Sequence, residues 1–541
     1  MPNLDTYTPL LTAHTAAHLL RRATFGPTKQ EIDSFIGLTA TEAVAKLMSN
    51  VALTVNPSPP VDYYDTQPTA GQPFLNEPYN LPRQGNFNAF IRYWWVGLMC
   101  EQNGNPSVLE KLAAFWQNHF VVPQGVIGDY KKSFQFLKLL RTGCLKSFRT
   151  LIIEMTKNPG MLKFQNGDLN QKGWPNENYA RELQELFVVG ENDFAGNQNY
   201  TEDDVKAAAK VLTGWQVTTN SNGDSTAVFT PARHDTSDKT FSSKYNNKTI
   251  AGRSDASAGD AELAELIDML LAHPHTGRFI CRKLYRWYVN PNVTTDIEDN
   301  VIGPLASFFT SPANNFNIQP VLEKLLTSNI FYDNRNIGAI IKSPAEFAIG
   351  MVRLFGQEVP NHTTDYVAFR KFAEFVYWNM SGLQLDFLSQ PLVFGSIPYY
   401  QSGYSKNWIN GNTLGIRGAQ IDKFVHPYIA IRPGSLIGID FLAWVRALQP
   451  NFSDVAGTPS ISCEYAFEQF SKYLFAIPLT QSQKDFLIDT IMMKNLPRAT
   501  WTNELTNYRK NPTNINSSNA VMWRGQLVMR YMMRMAEYHI F

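Results

Sequence analysis

Asn176-Glu177-Asn178-Tyr179-Ala180-Arg181-Glu182-Leu183-Gln184-Glu185-Leu186-Phe187, followed by a helix stop at Gly190, repeats its apolar residues at helical spacing. On a helix, Tyr179, Leu183, Leu186 and Phe187 form one apolar stripe. Asn178, Arg181, Glu182 and Glu185 gather on a separate polar stripe. The neighbouring segments obey the same period. Thr201 caps a helix through Val205, Ala208, Ala209 and Leu212 that stops at Gly214.

Start signals of the same kind recur along the chain. Ser107 with Glu110 reads as a capping box before Leu112, Phe115, Trp116 and Phe120, predicting a helix over about 106–121. Ser343, Pro344 and Glu346 open another, reaching about Leu354. Apolar spacing predicts further helices near 9–24, 29–49, 88–102, 129–157, 259–288, 436–447, 461–474 and 518–538. One stretch alternates instead: 215–219 and 227–230 flank the turn residues 220–224, and 239–250 suits a second short pair. The fold class expected is therefore mainly α, a large multi-helix architecture with a small β-hairpin insertion around 215–250. At 541 residues the chain exceeds the roughly 250–300 residues one core usually serves. Two lobes are expected, 1–340 carrying the hairpin and a candidate polar site, and 341–541 carrying a long loop at 394–412. That loop and the one at 56–85 far exceed the usual connection of about 4–6 residues, and loops of this length either carry function or are decorative insertions.

With 44 % apolar and 18 % charged residues the chain is globular and can bury a sizeable core. Its 48 basic and 47 acidic side chains leave a net charge of +1, so no long-range field attracts nucleic acid. Cys100, Cys144, Cys281 and Cys463 are far apart and read as buried free thiols. The Arg21-Arg22 pair lacks the apolar run an export signal needs, and no segment offers the roughly 20 apolar residues of a membrane span. The cytoplasm is the default compartment, export by another route remaining open.

The chemistry-bearing residues are few. If the polar stripe lines a cleft, Arg181 would keep one of Glu182 and Glu185 ionised while burial raises the pKa of the other, the division acid–base catalysis uses. If it faces water, these are solvated ion pairs. His119, set among Trp116, Asn118 and Phe120, is a base candidate or a packed core histidine. His234 and Asp235, near Lys239, lie beyond the hairpin among loop formers. These groups include metal-ligand types, but no His-Glu-x-x-His or Glu-x-x-His spacing joins them, and no metal is assigned. No cofactor is indicated, and no Gly-x-Ser-x-Gly elbow, P-loop or dinucleotide fingerprint appears. Aromatics make up 13 % of the chain, suiting either a phenylalanine-rich core or stacking against sugar rings.

The blocks 18–26, 116–120, 176–190, 200–215, 234–241, 280–289 and 342–356 resemble, in this order, the bacterial family catalogued as domain of unknown function 1800. The block 390–410 matches in part, with Ile397, Pro398, Tyr399 and Tyr400 where the family usually shows a proline-rich Gly-Trp-Pro stretch. The resemblance implies no activity, cofactor or substrate. It does imply a companion from the domain of unknown function 1501 family, whose members resemble phosphatase- and sulfatase-like proteins, and some relatives carry export signals. Two functions follow as expectations. One is a hydrolase or related acid–base enzyme on a polar, glycan-like substrate, with Glu182 and Glu185 as acid and base, Arg181 tuning them and His119 assisting. Its substrate contacts would be Asn178, Trp116, Trp215, His234 and Asp235. The other is a non-catalytic structural or partner-binding protein acting with that companion.

Overall fold

The computed structural model describes residues 3–101 and 104–541. It is mainly α, 55 % helical, with three two-stranded antiparallel sheets among the described residues. Capping decides where helices begin. Thr201 and Asp204 form a reciprocal box ahead of Glu202–Val211, and Ser343 and Glu346 do the same for Pro344–Leu354. The Ser107–Glu110 box does not form. The helix Leu109–His119 starts without a side-chain cap, because Glu110 accepts instead from Trp95 Nε1 at 2.7 Å and from the Arg141 guanidinium. A partly buried carboxylate that already accepts from an arginine and an indole is not available to the cap.

Several predicted segments divide at their polar or turn residues. The 129–157 stretch becomes Tyr130–Gly143 and Phe148–Thr156, and 259–288 becomes Ala258–Leu271 and Pro274–Tyr288, with proline in the first turn of the latter. The helix read near 88–102 is Gln84–Cys100, and Gln102 lies outside the described residues. The hairpin pairs β1 (Trp215–Thr219) with β2 (Ser225–Phe229), Trp215 opposite Phe229, and β3 (Lys239–Thr240) pairs with β4 (Thr249–Ile250). A third pair, β5 (Ala430–Arg432) with β6 (Ser435–Leu436), turns at Pro433-Gly434, with Gly434 at φ +76. The four cysteines are free and buried. No helix among the described residues is long and apolar enough to cross a membrane.

A continuous buried apolar cluster takes in residues from Leu11 to Tyr538. Gln84–Cys100 packs on both Tyr366–Ser381 and Pro344–Leu354. Ile341 bridges Ile540, so the segment just after the expected boundary at 340 pairs with the last residues of the chain. Lys111 and Glu346 form a buried ion pair joining Leu109–His119 to Pro344–Leu354. These contacts bring Leu109–His119, the 176–190 stretch, Pro274–Tyr288 and the 394–408 loop around one cavity.

Candidate functional site

The stretch around Glu182 is helical, but its second half is a π-helix: Asn178–Glu182 is α and Leu183–Val188 is π. Such wide turns inside α-helices occur often at functional sites. Gly190 closes the element at φ +88, and the amides of Val189 and Gly190 both reach back to the Gln184 carbonyl. The carbonyls of Leu186 and Phe187 are thereby left for side chains from other elements. His119 Nε2 lies 2.9 Å from the Phe187 oxygen and Lys283 Nζ lies 3.2 Å from the Leu186 oxygen.

These two side chains also meet each other. Lys283 Nζ is 3.0 Å from His119 Nδ1. A carbonyl can only accept, so His119 carries its proton on Nε2, and Nδ1 presents a lone pair to the lysine. Burial, and after it the neighbouring Lys283, holds the His119 imidazole well below its usual range, the Phe187 carbonyl opposing. Burial pushes the Lys283 amine down to about 7, with Arg286 adding to the effect. Phe279 supplies part of that apolar wall, its ring centroid 4.7 Å from Nζ.

Both residues line a cavity of about 420 Å³, within the range of small-molecule sites. Glu185 joins them there, accepting from the Tyr200 hydroxyl at 2.8 Å. The remaining cations of the wall are committed elsewhere. Arg282 forks onto Glu298 at 2.7 and 2.9 Å, Arg286 donates to the Tyr399 and Tyr400 carbonyls at 2.9 Å each, and Lys111 is paired with Glu346. Among the described residues Lys283 has no carboxylate partner. The 394–408 loop closes the cavity with Phe394, Tyr399, Tyr400 and Trp408. Its Tyr399 ring sits 4.3 Å from that of Trp287.

The residues singled out from sequence fall into three places. His119 and Glu185 meet in the cavity; Glu182 lies beside Glu185, partly buried and pushed up to about 7 by burial first and Glu185 second, Arg181 opposing. Arg181 spends its guanidinium on Glu202, at 2.6 and 2.7 Å, with Glu177 at 3.4 Å, and Asn178 is exposed. Trp116 stands behind His119, ring to ring at 5.3 Å, its indole N–H donated to the Cys144 carbonyl. Trp215, His234 and Asp235 belong to the hairpin region and do not line this cavity. There His234 and Lys239 enclose Glu262 in a fully buried knot, at 3.2 and 2.6 Å, while Asp235 accepts from the Ser237 amide. Among the described residues no three His, Cys, Asp or Glu side chains cluster as metal ligands would.

Lys283 was missed by the sequence reading, although a signal for it exists. Phe279, Arg282, Lys283 and Arg286 recur at i, i+3, i+4 and i+7, a basic stripe on a helix whose other faces are apolar. Cations on a mostly buried helix must find partners inside the protein or face a cavity.

No curated protein and no solved structure matches the chain. Every residue lining the cavity except Phe541 falls inside the 18–540 span over which the chain matches a family model described as protein of unknown function (DUF1800), and to that family the chain belongs.

Proposed function

We propose that the chain is a hydrolase or related acid–base catalyst that acts on a polar, glycan-like substrate in the cavity between the π-helix and the 394–408 loop. One observation carries the reading: a cavity-lining amine held near neutrality, 3.0 Å from an imidazole lone pair, shares its cavity with Glu185. A base whose pKa lies near the working pH is the most effective proton acceptor, and burial tunes lysines this way. Lys283 is the base in this account and Glu185 the second proton-handling group, with Glu182 its coupled neighbour. Phe394, Tyr399, Tyr400 and Trp408 line the cavity, and an aromatic lining suits a sugar ring.

The test is turnover of a panel of mono- and oligosaccharides followed by NMR. Lys283→Met and Glu185→Gln should each lower the rate by about 10²–10⁴-fold, with the fold intact by circular dichroism. Wild-type rates in both variants would overturn the assignment.

A second reading, partner binding with the 1501-family companion, is favoured by a different observation. Trp174 is 80 % exposed and Leu169 62 % exposed, both on the segment just before the π-helix. Large exposed apolar groups of this kind mark interaction surfaces when they are contiguous. Co-purification of the companion with wild-type protein but not with Trp174→Ser would support it.

A further inference from the structure

A neutral lysine amine has two N–H bonds and one lone pair. In this cavity both N–H bonds have acceptors, His119 Nδ1 at 3.0 Å and the Leu186 carbonyl at 3.2 Å. His119 Nδ1 is an acceptor because Nε2 donates its proton to the Phe187 carbonyl at 2.9 Å. The lone pair is therefore left over, on a side chain that lines the cavity and, among the described residues, has no carboxylate to hold it protonated. Two other lysines lack this combination. Lys239, for comparison, is fully buried and tied to Glu262 at 2.6 Å, and Lys206 projects into solvent beside Asp203.

From this geometry we infer that Lys283 forms an imine with the carbonyl carbon of a small hydroxy-aldehyde or hydroxy-ketone, the open-chain form of a sugar being the substrate class. The inference rests on the reading of this cavity as the working site and names how the amine acts there. The Nζ lone pair forms a bond to the carbonyl carbon while the C=O π pair moves onto oxygen. His119 Nδ1 takes one amine proton and passes it to that oxygen, giving the carbinolamine. The second amine proton follows the same route, the C–O bond breaks, and the nitrogen pair forms the C=N bond. Both protons leave in the released water, and no oxidant or reductant is required. Lys283 is the catalytic residue in this step, and His119 carries the proton between its two partners.

An amine that merely caps the Leu186 carbonyl would be a structural group, so the test reads bond formation. The full chain is incubated at pH 7 with glycolaldehyde and sodium cyanoborohydride, which fixes any imine as a stable secondary amine, and the adducts are mapped by peptide mass spectrometry. Lys283 should be labelled at least about tenfold faster than the solvated Lys206, since only an unprotonated amine adds to a carbonyl. His119→Gln should slow labelling at Lys283 by about tenfold while leaving labelling at Lys206 unchanged. Labelling of Lys283 no faster than Lys206 overturns the imine. If Lys283→Met still abolishes sugar turnover in that case, the amine is a base alone and the acid–base reading stands. If turnover also persists in Lys283→Met, both fall. Because the labelling is done on the wild-type chain, a variant that failed to fold would leave the inference testable.

Discussion

A lysine held near neutrality inside a fold shifts stability with pH in a definite direction. Lys283 is pushed down to about 7 from an ordinary 10.5. Between those two values the unfolded chain binds the proton and the folded chain does not, so this residue's contribution to stability rises with pH across that window and is at its minimum below 7. Comparing wild type with Lys283→Met by urea denaturation should show the difference in ΔG moving in favour of the wild type from pH 7 to 10.5, by at most about 1.4 kcal/mol per pH unit. A pH-independent difference would mean the amine is ordinary. Arg181 gives the opposite expectation. Its partner Glu202 is 65 % exposed and Arg181 itself 34 %, so Arg181→Ala should cost under about 1 kcal/mol and leave turnover unchanged. Sequence alone placed Arg181 with Glu182 and Glu185, because spacing on one helix shows which side chains share a face but not which distant helix offers a better partner. Glu202, on the next helix, is that partner. Lys283 escaped notice for a related reason: the two groups its amine bonds, His119 and the Leu186 carbonyl, are distant from it in sequence.

At the level of the element, the π-helix and its glycine stop hold the site together. Gly190 sits at φ +88, where a side chain is strained, and a Cβ there would come 2.8 Å from the Phe279 ring. Gly190→Ala should therefore cost about 1–3 kcal/mol, measured by chemical denaturation, and displace the ring that lies beside Lys283. An unchanged midpoint would show that the turn adapts. The helix through Glu182 and its stop were legible from periodicity and from Gly190. The switch from α to π was not, since apolar spacing barely distinguishes one wide turn. The hairpin was legible because 220–224 collect turn formers between alternating runs. The Ser107–Glu110 box misled because a local motif competes with tertiary partners, here Trp95 and Arg141. The 394–412 loop, expected from its length and its partial family match, carries a short helix at Ile397–Tyr400 and a 3-10 turn at Tyr404–Trp408 that together roof the cavity.

For the whole molecule, the mainly α class followed from a helical period repeated over most of the chain. Which segments meet in space did not follow, because the cavity draws on helices and loops from positions near 111 to positions past 400. One buried cluster holds residues from both sides of the boundary expected at 340, and Lys111 pairs with Glu346 across it. A core of that continuity predicts a single calorimetric transition with matching van't Hoff and calorimetric enthalpies; two separated transitions would set 1–340 and 341–541 apart as folding units. The proposed chemistry requires a cavity that holds an amine able to act as a base at neutral pH. The direct measurement is the pH dependence of acetic anhydride labelling at Lys283, read by mass spectrometry against the solvated Lys206. A midpoint near 7 at Lys283 is the predicted result. A Lys283 midpoint near 10.5 would contradict it.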